Sequence, residues 1–174
     1  MKLRTSLSVL TLALFAAAPA SALITVYSTS LSSAGEPVPT STATGSALVT
    51  LDDVLGKITV HVSWSGMAAP ASAAHIHCCT AVAGTGSIGA AQGFTAFPAA
   101  TSGTYDAFFT PPTFATIATG IAAGKAYVNI HSAGTYSGGE IRGFLAPVPE
   151  PASVALMAGG LAVLGWSARR RQRG

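Results

Sequence analysis

The sequence predicts an all-β domain, an antiparallel Greek-key-like β-sandwich or small barrel, set between two terminal segments that act as addresses. Three observations carry this. Residues 57–64, KITVHVSW, alternate apolar and polar side chains, with Ile58, Val60, Val62 and Trp64 on one face. Residues 23–147 are rich in Ala, Gly, Thr, Ser and Val and poor in Glu, Lys and Gln, a composition suited to strands and turns. Both ends of the 174-residue chain pair an apolar run with basic residues.

The elements follow in order. In residues 1–22, Lys2 and Arg4 precede a mostly apolar stretch over 7–18, and Ala20-Ser21-Ala22 offers a small-residue cleavage site, which predicts a secretory signal peptide. The body, residues 23–146, is one domain by length. Strands are expected at 24–28, 47–51, 57–64, 74–78 and 104–109, with a hairpin turn over 52–56. Residues 113–123, FATIATGIAAG, are open between strand and a short helical turn. Residues 125–131 and 140–145 read as a closing hairpin around SAGTYSGG. The Gly/Ala/Thr-rich stretch 80–103 reads as a long loop over the mouth of the domain, and 32–44 as a second exposed loop.

The tail, residues 147–174, contains Val148-Pro149-Glu150-Pro151, a seventeen-residue mostly apolar run over 152–168, and then Arg169, Arg170 and Arg171. Such a run is just long enough for a transmembrane helix through a thin bilayer, and the arginines would stay on the cytoplasmic side.

Charge must be read without the ends. The whole chain carries +3, but six of its nine basic residues lie in the two terminal segments. The body holds Lys57, Lys125 and Arg142 against Glu36, Asp52, Asp53, Asp106 and Glu140, three minus five, or −2. With no basic patch, nucleic acid is excluded as a partner. No serine sits in a G-x-S-x-G elbow. GTGSIGAAQG lacks the lysine of a phosphate loop.

The residues with chemistry cluster in AHIHCC, 74–79. In a strand His75 and His77 share a face and Ile76 takes the other. In 125–131, Val128 and Ile130 face the core, leaving Tyr127, Asn129 and His131 on the opposite side. His75, His77 and His131 thus form a candidate copper or zinc site, since imidazole suits both ions. Asn129, Glu140 and Arg142, the latter two expected to point outward, are candidates to orient the imidazoles from behind. The competing reading is that these histidines only hydrogen-bond loop backbone at strand ends. Cys78 and Cys79 are the only cysteines. In an oxidising, exported compartment they are expected as a disulfide between neighbours, with an intermolecular bond or thiolate ligation as alternatives.

Three resemblances complete the reading. The tail resembles a PEP-CTERM sorting signal. That implies a Gram-negative cell, an exosortase-type processing protease, a transient stay in the inner membrane, and release toward the surface or an exopolysaccharide matrix. The segments VSWSG (62–66), AHIH (74–77), YVNIH (127–131) and GGEIRG (138–143) together resemble the CHRD domain. That implies a β-rich extracellular domain without established enzymatic activity, here a binding or structural protein for extracellular polysaccharide or surface proteins. SGMAAPASAAHIH (65–77) is more faintly similar to copper/zinc superoxide dismutases, in which a His-x-His pair binds copper. It would match His75 and His77, with His131 as a third ligand, and implies remote redox activity. The bridging histidine and zinc cluster of those enzymes have no counterpart, only His61 remaining.

Overall fold

The computed structural model describes residues 24–38, 40–149 and 152–171. The expected signal peptide, Glu150 and Pro151 lie outside the described residues.

β1 (Ile24–Ser32), β2 (Thr44–Asp52) and β3 (Lys57–Ser65) form an antiparallel meander. The turn at 52–56 closes because the Asp52 carboxylate accepts the N–H groups of Val54 and Leu55 at 3.1 and 3.0 Å. In β3 the expected face is buried: Ile58, Val60, Val62 and Trp64 are at most 3% exposed. The chain then crosses to the far side of the sheet as β4 (Ala71–Cys78) and β5 (Ala90–Gly93). It returns to pair with β3 as β6 (Gly103–Phe109). Helix α1 (Phe114–Ala122) leads into β7 (Ala126–Ser132), which pairs with both β4 and β8 (Ile141–Phe144). A two-residue strand, β9 (Ala146–Pro147), lies against β1.

The strand order is β5-β4-β7-β8-β1-β2-β3-β6, with β9 off this path. Of the two expected forms, sandwich or small barrel, the second is the nearer: one antiparallel sheet curls into a half-barrel, and its inner face holds the core. The open side, between the β5/β4 edge and the β3/β6 edge, is stitched by residues 94–101. Phe94 N–H bonds Ala74 O (2.9 Å), Ala71 N–H bonds Ala100 O (3.1 Å), and the Trp64 indole N–H also reaches Ala100 O (3.1 Å). Phe94, Phe97, Tyr105 and Phe109 pack along this seam, with Phe97 stacked on Trp64 at 4.5 Å. The stretch 80–103 is therefore more than a loop, since it supplies an edge strand and the closing seam.

The ambiguous segment 113–123 resolves as α1. Its Ile117 and Ile121, four apart and so on one helical face, are at most 1% exposed against the core. Burying each such side chain contributes about 1.5–3 kcal/mol. A Cβ on Gly120 would overlap both the Cys78 and Cys79 sulfurs. Glycine is what lets α1 sit down on the end of β4.

Residues Ala152–Arg171 form a second helix, α2, with Leu156, Met157, Leu161 and Trp166 all more than 60% exposed. Among the described residues, no helix is long and apolar enough to cross a membrane. The arginines occupy the last turn of α2.

Candidate functional site

The site lies on the outer face of β4, β7 and β8, opposite the core. Ile76, Val128, Ile130 and Ile141 point inward and are fully buried. His75, His77, Tyr127, Asn129, His131 and Arg142 take the other face. An outer face usually meets water, but this one is roofed. Tyr127 and Asn129 are each 2% exposed and His77 is 9% exposed. The roof is built from the segment around Ser87–Ile88, the loop around Ser33–Glu36 and the turn after β7.

The β4–β7 pairing brings the histidines together. His75 lies opposite Asn129, Ala73 opposite His131 and His77 opposite Tyr127. His75 and His131 are thus diagonal neighbours across two hydrogen-bonded strands, within reach of long side chains. His75 Nδ1 and His131 Nε2 are 3.1 Å apart. One ring nitrogen from each of His75, His77 and His131 lies within 4.8 Å of the others. His77 stacks flat on Tyr127, with ring centroids 4.7 Å apart.

Two of the rings have their protons placed by backbone. His77 Nδ1 bonds Ile88 O at 2.6 Å, and His131 Nδ1 bonds Ser137 O at 3.0 Å. A carbonyl only accepts, so each Nδ1 carries the hydrogen and each Nε2 keeps a lone pair. Ile88 is itself held, its N–H reaching the Tyr127 hydroxyl at 3.2 Å. Burial lowers the pKa of all three histidines. His75 falls to about 4, through desolvation first and then the neighbouring His131 and His77. Desolvation also dominates at His77 and His131, against the opposing hydrogen bonds that their rings donate to the Ile88 and Ser137 carbonyls. All three imidazoles are neutral near pH 7, the form that binds metal.

The groups expected to orient these rings do other work. Asn129 Nδ2 donates to Glu36 Oε1 at 2.8 Å. Arg142 Nη1 donates to Ser87 Oγ at 2.9 Å, and its guanidinium lies 4.9 Å from the Tyr127 ring centre. Arg142 Nε is 3.9 Å from Glu36 Oε1, both side chains at most 10% exposed. Burial raises the Glu36 pKa, opposed by Arg142 and the Asn129 hydrogen bond. Arg142 thus lies under the roof, where an outward, solvated position was expected.

Glu140 is a second correction: it neither points outward nor touches an imidazole. It is fully buried and accepts hydrogen bonds from Ser41 Oγ (2.7 Å), Ala68 N–H (2.7 Å) and Ser132 Oγ. It ties together the loop before β2, the crossing after β3 and the end of β7. The reason is local. Gly139 takes φ +136°, and its N–H bonds Tyr136 O, which swings the next side chain inward. A Cβ on Gly139 would stand 2.5 Å from Glu36 Oε2 and 2.6 Å from Asn129 Nδ2. The GGEIRG segment is therefore a structural clasp beside the site.

Cys78 and Cys79 are joined to each other, with their sulfurs packed on Gly120 and facing Thr116 O. They leave the histidines without a thiolate neighbour. His61 stands apart on β3, paired with Asp106 at 2.6 Å on exposed surface. Val148 and Pro149 follow β9, and Arg169 and Arg170 are exposed at the end of α2. Glu36 and the Ile88 and Ser137 carbonyls were not picked out by sequence reasoning. Tyr127 was placed on the site face beside Asn129 and His131 but given no role.

Fold and tail together define an antiparallel β domain followed by a separate C-terminal segment. Residues 27–145 match the CHRD domain, and the chain belongs to that family. Residues 147–171 match the PEP-CTERM protein-sorting motif, which marks the chain for export and for processing by an exosortase-type protein. It directs membrane-associated sorting toward the cell surface. No curated protein and no solved structure shows a significant match.

Proposed function

We propose that this chain is a non-enzymatic binding or structural protein, delivered by its tail to the surface or exopolysaccharide matrix of a Gram-negative cell. One observation carries the reading: the sorting motif begins at residue 147, just after the matched domain ends at 145. The cargo of the tail is the whole folded half-barrel. The partners that fit are extracellular polysaccharide and surface proteins. The body has a net charge of −2 and no basic patch, so contacts would be made by hydroxyl-rich strand faces and loops. In this reading the N-terminal signal peptide is cut before Leu23, the C-terminal segment halts only transiently at the inner membrane, and an exosortase-type protease separates it from the body.

The test is intact-mass analysis of surface-released protein from a host with and without its exosortase. The proposal expects release of a body lacking the 152–171 segment only when the exosortase is present. Equal release in both hosts, or a retained tail, would remove it. Co-sedimentation of the released body with purified exopolysaccharide then separates matrix binding from simple secretion.

The copper- or zinc-binding alternative is compatible with the same delivery, because it concerns what the domain holds once exported. Dismutase-like redox chemistry would rest on the same three histidines. Among the described residues there is no second cluster of metal-binding side chains to support it.

A further inference from the structure

We infer that His75, His77 and His131 form a mononuclear, all-nitrogen site for Cu(II) or Zn(II), with a fourth position open to an exchangeable ligand. The first support is geometric. Two imidazole nitrogens bound to one tetrahedral zinc, each at about 2.0–2.1 Å, stand about 3.3 Å apart. His75 Nδ1 and His131 Nε2 already stand 3.1 Å apart. The three ligand atoms lie within 4.8 Å, so the widest gap closes by about 1.5 Å, within side-chain adjustment.

The second support is an orphaned atom. His77 Nε2 is buried without a hydrogen-bond partner. A buried, unpaired acceptor is destabilising, so native folds satisfy such atoms or use them. Its ring cannot flip to escape, because Nδ1 is tied to Ile88 O and the ring is stacked on Tyr127.

The third support is the outer bonding. Metal-bound histidines almost always donate the other ring N–H to a carbonyl, carboxylate or water, which fixes tautomer and orientation. His77 does this to Ile88 O and His131 to Ser137 O. At His75 the ion takes the place of the hydrogen on Nδ1, which moves to Nε2 as a tautomer shift with no net change of charge. Two hydrogen-bonded strands hold the donors, a stiffer mount than loops provide.

The donor chemistry selects the ion. Three neutral imidazoles with neither carboxylate nor thiolate suit Zn(II) and Cu(II) over Ca(II) or Mg(II), which favour oxygen. Three protein ligands leave a position for water or an anion, the arrangement of open rather than closed zinc sites.

The experiment uses the full exported chain, purified without a histidine tag. Zn(II) and Cu(II) are titrated alone by calorimetry, and the Cu(II) form is examined by electron paramagnetic resonance. The expected result is one ion per chain, with three coupled nitrogens in the copper spectrum. His77→Ala and His131→Ala should each weaken binding by more than about 100-fold, beyond the loss of an outer partner alone. His61→Ala, on the far exposed surface, should leave binding unchanged. Absence of stoichiometric binding, fewer than three nitrogens, or equal loss in His61→Ala would overturn the assignment. The nitrogen count is read on the wild-type chain, so it holds even if a histidine variant fails to fold.

Discussion

Replacing Glu140 with Ala removes the acceptor shared by Ser41, Ala68 and Ser132 at a fully buried position. A hydrogen bond to a charged group contributes about 1.5–3 kcal/mol, and each donor left buried and unpaired costs about 1–3 kcal/mol. These terms do not add fully, because the carboxylate's own desolvation is relieved when it is removed. Its partners are two hydroxyls and a backbone N–H, so the net loss from three broken hydrogen bonds is about 3 kcal/mol. With a urea m-value of about 1–3 kcal/mol/M, the unfolding midpoint should fall by about 2 M. The assay is urea denaturation followed by far-UV circular dichroism, which reports on the sheet. Glu140→Gln keeps the shape and one acceptor oxygen, so its loss should be smaller. A Glu140→Ala midpoint indistinguishable from wild type would refute the clasp.

Three further outcomes are expected. Gly120→Ala places a methyl where the two cysteine sulfurs sit, so α1 must lift from β4; a drop of about 1–3 kcal/mol in stability is expected from overpacking, read by the same denaturation. Ile121→Ala, emptying a fully buried site on α1, should cost about 2–5 kcal/mol, and a change below about 1 kcal/mol would show that the helix does not plug the core. At Glu36 the pH dependence has a definite sign. Its folded pKa is raised by burial, so the stability it adds is full below the ordinary value of 4.5 and is lost as pH rises through the folded value, with Arg142 opposing that loss. Glu36→Gln should therefore gain stability relative to wild type as pH rises from 4.5, and a constant difference across that range would contradict it.

How much was legible in the sequence follows from which interactions are local. The alternation in KITVHVSW fixed β3, because a strand with one buried face must repeat every two residues. The histidine face of β4 and the core face of β7 were readable for the same reason. What could not be read was that β4 pairs with β7, a contact between residues about fifty positions apart. Without that pairing, His131 could be placed near Glu140 and Arg142 but not beside His75. The inward turn of Glu140 depends on the positive φ of Gly139, which alternation alone does not reveal. Nor does period-two reading show that a polar face will be roofed. That roof, Ile88 over Tyr127 and Glu36 over Asn129, turned an expected solvated surface into a desolvated site. The single curled sheet was hidden for a related reason, since its closing seam at Phe94–Phe97 lies in a stretch with loop-like composition.

The most direct test of the histidine assignment is metal content. The full chain, exported, equilibrated with Zn(II) or Cu(II) and passed through gel filtration, is measured by elemental mass spectrometry beside His75→Ala/His77→Ala. The account predicts close to one ion per wild-type chain and almost none in the double variant. Wild-type protein that emerges without metal, or a variant that retains it, would contradict the account and leave the three rings as a hydrogen-bonded strand end.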